Sequence, residues 1–354
     1  MSISKVKKEE IKEFLLSEIK DDRTPYNAVE KYEVSRQTIR KYLKELEDNK
    51  LIVSEGVRKK EYDLNYYIKE KQTFNDLQNY AEEKIYENFI VKHLKDKSNN
   101  FKNILSYAFT EMVNNAIDHS NGKNLIIEYK ENYFKVLLII YDDGVGIFNR
   151  IIKDHNLNNE DEAIFELSKG KLTSDKSKHS GEGIFFTSKI VDNFMIFSGK
   201  KMYKGNSDGE IKEIEGRLLE QEIKGTLILF SINKNTNINT REVFDKFALS
   251  GNFDTTQIII KLATDDCNSL VSRSEAKRIM NRVNEFKKVI LDFEGIQFVG
   301  QGFCDEVFRV FKLNNRDIEI EYINAEADVK YMIDRAILSY EQFIKEWITQ
   351  NFAK

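Results

Sequence analysis

The chain has 354 residues, of which 41% are apolar and 12% aromatic, a composition that supports packed cores and excludes an unstructured polymer. At about 150 residues per domain, it holds two or three domains of ordinary size. A net charge of −4 excludes a general polycation, so any contact with nucleic acid must come from a local patch. With no apolar run of about 18 residues, no membrane span is expected. Cys267 and Cys304, the only cysteines, lie in sequence that reads as packed helix or strand. Without a signal peptide, they point to a reducing cytoplasm and no disulfide framework.

Residues 1–65 read as helix, helix, turn, longer helix and hairpin. The stretch IKEFLLSEI places Ile11, Phe14, Leu15 and Ile19 at helical spacing. A short helix follows Pro25, whose fixed φ suits a helix start. Ser35 is the expected N-cap of a third helix carrying Ile39, Leu43 and Leu46 inward, with a β-like exit over Leu51 to Val53. This is the order of a winged helix-turn-helix. The outer face of the third helix presents Arg36, Gln37, Arg40, Lys41 and Lys44, and the wing tip presents Arg58, Lys59 and Lys60. Cations so placed neutralise phosphates, and the first turn of such a helix reaches base edges in a major groove, so DNA is the expected partner. The alternative is a solvated face on a protein-docking or dimerisation module. Residues 66–100 read as a highly charged connecting helix, which docks on the next domain or serves a homodimer.

In residues 101–240 the apolar stripe Leu105, Ala108, Phe109, Met112, Val113 and Ala116 marks one helical face as core. Glu111 and Asn115, four residues apart, share another face with Asn114 beside them and Asp118 a turn further. Two strands come next, the second ending in Asp142, Asp143, Gly144, Val145 and Gly146, where paired glycines permit a tight turn and close approach to a ligand. An acidic group at the strand end accepts a hydrogen bond from an exocyclic amine. Residues 167–180 are rich in Gly, Ser and Lys, as in a mobile lid, and end in Gly181, Glu182, Gly183 and Ile184 at a helix start, where free N–H groups suit a phosphate. A further strand begins with Gly225 and Thr226.

These four elements, in this order, resemble the ATP-binding domain of the gyrase, Hsp90, histidine kinase and MutL (GHKL) superfamily over about residues 101–232, and most resemble its anti-sigma serine kinase branch. The resemblance implies a two-layer α/β sandwich that binds ATP with Mg2+. It casts Glu111 as the group that orients or deprotonates the nucleophile, Asn115 as the magnesium ligand and Asp142 as the adenine acceptor. On the same reading Gly144 and Gly146 admit the base, Gly181 and Gly183 wrap the phosphates, Thr226 supports Asp142 or its water, and Ile147 is a further ATP-binding candidate. Asn114, Asp118, His119, Glu182 and Ile184 lie nearby. Among the lid cations, Lys169, Lys171, Lys176, Lys178 and His179 are candidates for the γ-phosphate, with a solvated lid as the alternative.

Residues 250–354 read as a small α/β unit: a strand, a helix, a central parallel strand at Val289 to Phe293, a glycine turn into an amphipathic helix, another strand, and a helix from Val329 to Phe352. This order resembles the STAS-like domain found after such ATPases, related to the anti-sigma antagonist fold. There a Ser or Thr in the turn after the second core strand receives a phosphate; here that turn carries Gln301, which cannot. Ser272 and Ser274, near the start of the first helix, are the remaining hydroxyls on a plausible face, and serines at a helix start are ordinarily caps. The expected class is therefore multidomain α/β: a mainly α winged helix, a two-layer ATP-binding sandwich and a small STAS-like domain. The expected function is that of a Mg-dependent ATPase whose nucleotide state controls the DNA-binding winged helix domain and the STAS-like module, in transcriptional or stress/defence regulation, with a protein partner expected at the STAS-like domain. The alternatives are an anti-sigma-type protein serine/threonine kinase or partner switch with a protein-docking N-terminus, and a nucleotide-gated binding protein with negligible turnover.

Overall fold

The computed structural model describes residues 4–56, 60–172, 182–205, 218, 221–247, 254–263 and 269–352, with side chains described as far as residue 346. The chain is a multidomain mixed α/β protein. Helix α1 (Lys5–Lys20) buries Ile11, Leu15, Leu16 and Ile19. A 3-10 turn opening on Pro25 leads into α2 (Ala28–Tyr32) and then α3 (Arg36–Asp48). Ser35 caps α3 as expected, its hydroxyl accepting the Thr38 amide at 3.1 Å. Strands β1 (Ile52–Glu55) and β2 (Glu61–Leu64) form an antiparallel hairpin. Ile11, Leu15, Ile39, Leu43, Leu46 and Ile52 make one core, against which Tyr133 and Phe134 of the central region also pack. Arg58 and Lys59 lie outside the described residues; Lys60 sits 3.4 Å from Glu47.

The central region is a six-stranded antiparallel sheet built from β3 (Ile68–Asn75), β4 (Asn124–Glu131), β5 (Lys135–Asp142), β6 (Asn193–Gly199), β7 (Lys201–Lys204) and β8 (Ile223–Asn233). The spatial order is β3-β4-β5-β8-β6-β7. The expected connecting helix over residues 66–100 is corrected here: its first part is β3, paired along its whole length with β4 from Ile68 opposite Glu131 to Asn75 opposite Asn124. Dense charge reads as a solvated helix, yet Lys69, Glu70 and Lys71 are the side chains that keep an edge strand from pairing with another molecule. Short helical turns come next, a 3-10 turn at Leu77–Asn79 and then α4 (Glu82–Ile85) and its continuation, and they bury Leu77, Ile85, Phe89 and Ile90.

Helix α5 (Asn99–His119) packs its predicted stripe, Leu105 through Ala116, into the core at no more than 4% exposure. Because side chains alternate along a strand, one sheet face offers Leu125, Ile127, Tyr129, Val136, Leu138 and Ile140 to that helix. Helices α6 (Ile147–His155), α7 (Glu160–Lys169), α8 (Gly183–Ile190) and α9 (Thr240–Phe247) complete this region.

In the C-terminal region β9 (Thr255–Ile259), β11 (Lys288–Asp292) and β13 (Glu319–Ile323) form a parallel sheet with β11 in the centre, as its apolar run predicts. A minor parallel pair joins β10 (Ser269–Leu270) to β12 (Phe298–Val299). Helix α10 (Arg273–Ile279) is capped by Ser272 in a reciprocal box with Glu275. Helix α11 (residues 301–314) and α12 (Ala327–Phe352) complete the unit. Cys304 is buried and its thiol pushed up to about 12 by desolvation, while Cys267 lies outside the described residues. Among the described residues, no helix is long and apolar enough to cross a membrane.

At the sheet end remote from Asp142, Glu131 is 3% exposed and accepts from Lys97 (2.5 Å), Tyr129 (2.8 Å) and Tyr67 (3.0 Å), with Lys234 at 2.7 Å. Burial alone would raise its carboxyl, but the hydrogen bonds from Lys234 and Lys97 prevail and hold it at about 2. The stabilisation is therefore complete above the ordinary value of 4.5 and is lost as pH falls toward about 2. Glu131→Ala, which strands two lysines, is expected to cost about 3–5 kcal/mol in urea unfolding. It is also expected to flatten the acid limb of the stability profile.

Candidate functional site

The register of β5 against β8 sets the site. Asp142 stands directly opposite Thr226, on the sheet face that α5 covers. Both are 5% exposed. Desolvation pushes the Asp142 carboxyl up to about 6, against hydrogen bonds from the Gly144 amide (3.0 Å) and from Thr226. The Thr226 hydroxyl in turn accepts the Ile147 amide at 3.1 Å, which ties the start of α6 to the strand. Its neighbour Asp143 points the other way. It accepts the Lys123 and Asn124 amides at 2.8 and 2.9 Å and the Asn124 side chain at 2.7 Å, clasping the start of β4.

Close packing explains why glycines stand here. A Cβ on Gly144 would lie 2.1 Å from the Ser120 carbonyl oxygen, so the loop abuts the end of α5. The Val145 amide donates to that same oxygen at 2.8 Å. Gly225 combines a φ of +85° with a Cβ position 2.0 Å from the Asp142 carbonyl oxygen. At the first turn of α8, a Cβ on Gly183 would lie 2.0 Å from Glu111 Oε2, so the glycine leaves room for that carboxylate beside the helix N-terminus. A negative group there is favoured by the helix dipole.

These elements enclose a cavity of about 310 Å3. Of the residues expected from sequence, Glu111, Asn114, Asn115, His119, Asp142, Gly146, Ile147, Gly183, Ile184 and Thr226 line it. Gly144 is in the wall behind it, Asp118 is exposed, and Glu182 is the N-cap residue of α8 without lining the cavity. Lys176, Lys178, His179 and Gly181 lie outside the described residues. Lys169 and Lys171, candidates for the γ-phosphate on lid closure, donate here to the carbonyls of Asn281 (3.0 Å) and Glu285 (2.8 Å). Lys169 is buried as the last residue of α7, and Lys171, two residues beyond it, is part-buried; both reach the C-terminal region.

Sequence reasoning missed most of the α6 side of the cavity: Arg150, Ile151, Asp154 and His155 line it with Ile147, at i+3, i+4, i+7 and i+8 from that residue. That spacing was visible in IFNRIIKDH but carries no motif. Arg150 donates to Asp154 at 2.8 Å and to the His119 carbonyl at 2.9 Å, bracing α6 against α5.

Asn115 Nδ2 is buried at the cavity wall with no hydrogen-bond partner. A buried unpaired amide is costly, and its nitrogen and oxygen are interchangeable in assignment, so this carboxamide suits a polar ligand group of either kind. Among the described residues no group of three or more His, Cys, Asp or Glu side chains could hold a metal ion. A hard cation here would take one oxygen from Asn115 and the rest from ligand and water, a set compatible with magnesium.

Residues 275–330 match the STAS-like domain of unknown function, DUF4325. The match spans α10, β11, α11 and β13 and enters α12. No curated protein matches the chain. Gly225→Ala is expected to lower stability by at least about 1–3 kcal/mol, the range for strained backbone, with Asp142 displaced. Thermal unfolding of the variant beside wild type checks this, and equal melting temperatures would sink it.

Proposed function

We propose that the cavity is a Mg-ATP site of the GHKL type and that the chain is a regulatory ATPase. The observation that carries the reading is convergence: Glu111 and Asn115, Asp142 and Gly146, Gly183, and Thr226 come from four separated sequence elements and line one cavity. In this reading the sheet with α5 and its neighbouring helices is the two-layer α/β sandwich expected over residues 101–240, with the edge strand β3 added from before it. Asp142 accepts the exocyclic amine of adenine, and Thr226 holds it in place. Asn115 supplies an oxygen to magnesium, which neutralises phosphate charge when bound. Glu111, held at the α8 N-terminus, positions the attacking water or takes its proton.

The N-terminal 65 residues are read as a winged helix-turn-helix. Arg36, Gln37, Arg40, Lys41 and Lys44 are all exposed along α3, as a groove-reading helix requires. The DUF4325 unit, within residues 250–354, is read as the module through which nucleotide state is passed on. Gln301 at the start of α11 has no hydroxyl, which favours transfer of the phosphate to water.

Asp142→Asn is expected to weaken Mg-ATP binding about 10- to 100-fold, the worth of a hydrogen bond to a charged group. Wild-type affinity should rise as pH increases through about 6, where the Asp142 carboxyl ionises and becomes a full acceptor. Unchanged binding by the variant in calorimetry rejects the adenine assignment. Glu111→Ala should keep affinity and lose roughly 10²–10⁴-fold in turnover. With γ-labelled ATP, free phosphate supports hydrolysis, whereas label retained on protein would replace it with a kinase. Full-length protein should bind duplex DNA with an affinity that falls steeply with salt, and Arg40→Glu should reduce both affinity and slope; salt-independent binding removes the DNA reading.

A further inference from the structure

One side of the cavity is supplied by helices that the C-terminal region holds from outside. Leu167 of α7 and Gly183, Ile184 and Phe185 of α8 line the cavity. The same two helices bury Phe165, Phe185 and Phe186 in the core that contains Ile258, Val289 and Leu291 of the parallel sheet. Phe185 meets Phe247 of α9 edge-on at 5.1 Å, and Phe186 lies 4.5 Å from Phe244. The cavity wall and the C-terminal core therefore share side chains.

Polar contacts converge at the same junction. Lys169, 0% exposed, donates to Glu166 at 2.7 Å and to the Asn281 carbonyl at 3.0 Å. Glu166 also accepts from Arg282 at 2.9 Å, and Arg282 reaches the Lys171 carbonyl at 2.9 Å and Glu285 at 3.2 Å. The Thr256 hydroxyl of β9 donates to the Lys169 carbonyl at 2.5 Å. Arg282 itself has a φ of +59°, a left-handed conformation uncommon for a side-chain-bearing residue and sustained here by its three acceptors. Its charge also reaches the cavity: after burial, it is the next cause holding the lining residue His155 below its ordinary value.

We infer that the C-terminal unit is a built-in regulator of the cavity, its docking on α7 and α8 coupled to ligand binding through the Glu166–Arg282 bridge and the shared phenylalanine core. A rearrangement of α7 around a ligand must carry the C-terminal unit with it or break the partly buried Glu166–Arg282 ion pair, and a rearrangement of α8 must carry it or open the shared core at Phe185 and Phe186, both of which are unfavourable. By linkage, whatever displaces or grips the C-terminal unit changes ligand affinity, and the ligand changes the docking equally. The inference takes only the identity of its ligand from the nucleotide reading.

The test uses full-length wild type, Arg282→Ala and Thr256→Val, each first checked for cooperative unfolding, with Mg-ATP as the probe. Without ligand, Arg282→Ala should speed amide exchange in α7 and α8 and leave β4 and β5 protected, with Thr256→Val giving a smaller change in the same places. In wild type, Mg-ATP should slow exchange in β9 and residues 280–286. Arg282→Ala should weaken Mg-ATP binding by roughly 5- to 150-fold, the usual span of a coupling free energy. If wild type takes up no Mg-ATP but both variants loosen α7 and α8, the nucleotide reading falls while the hold of the C-terminal unit on the cavity wall stands; if Mg-ATP binds and Arg282→Ala leaves its affinity unchanged, the coupling is overturned. If α7 and α8 exchange as in wild type in both variants, the coupling is overturned, whether or not Mg-ATP binds.

Discussion

The pairing of β5 with β8, which sets Asp142 opposite Thr226, is the constraint on which the rest of the site depends. A one-residue slip would turn both side chains to the other face of the sheet, since successive residues alternate. That register is secured on both sides. Ile140 and Ile228 are buried in the core under α5, and Gly225 allows the strand to pass within contact of the Asp142 carbonyl. Once it is set, the loop after β5 has little freedom, because Gly144 abuts the end of α5 and Asp143 clasps the start of β4.

The two ends of the sheet have different neighbours. At the turn between β4 and β5, Tyr133 and Phe134 join the core of α1, α3 and β1, and Lys20 lies 5.5 Å from the Phe134 ring centroid. That turn is at the opposite end of β5 from Asp142. The N-terminal module is therefore remote from the cavity along the strand, whereas the C-terminal unit touches the helices that line it. A signal between cavity and α3 would have to cross the length of the sheet. The Glu131 cluster lies on that route, joining β4 to Lys97, to Lys234 just past β8 and to Tyr67 just before β3.

Much of the fold was legible because burial imposes a period. The stripe from Leu105 to Ala116, the apolar runs of β5, β8 and β11, and the serine caps at Ser35 and Ser272 come directly from side-chain type and spacing. Strands β3 and β7 were not legible. Edge strands bury little, so their sequences carry charge in place of an apolar pattern. β6 was hidden differently: buried over Asn193 to Ser198, it runs on from α8 in one apolar stretch whose break periodicity does not mark.

For the candidate site, the sequence alone determined which residue types were available and which fell on common helical faces or at strand ends: Glu111 with Asn115, Asp142 ahead of its glycines, Gly183 at a helix start, and Thr226. Tertiary structure alone decided which of them meet. It brought Asp142 and Thr226 together, put Gly144 behind the wall, added Arg150, Asp154 and His155 from α6, and turned Lys169 and Lys171 toward the C-terminal unit. The physical reason is that local spacing constrains direction along one element only. Which side chain is buried, and against what, depends on the packing of elements far apart in the chain.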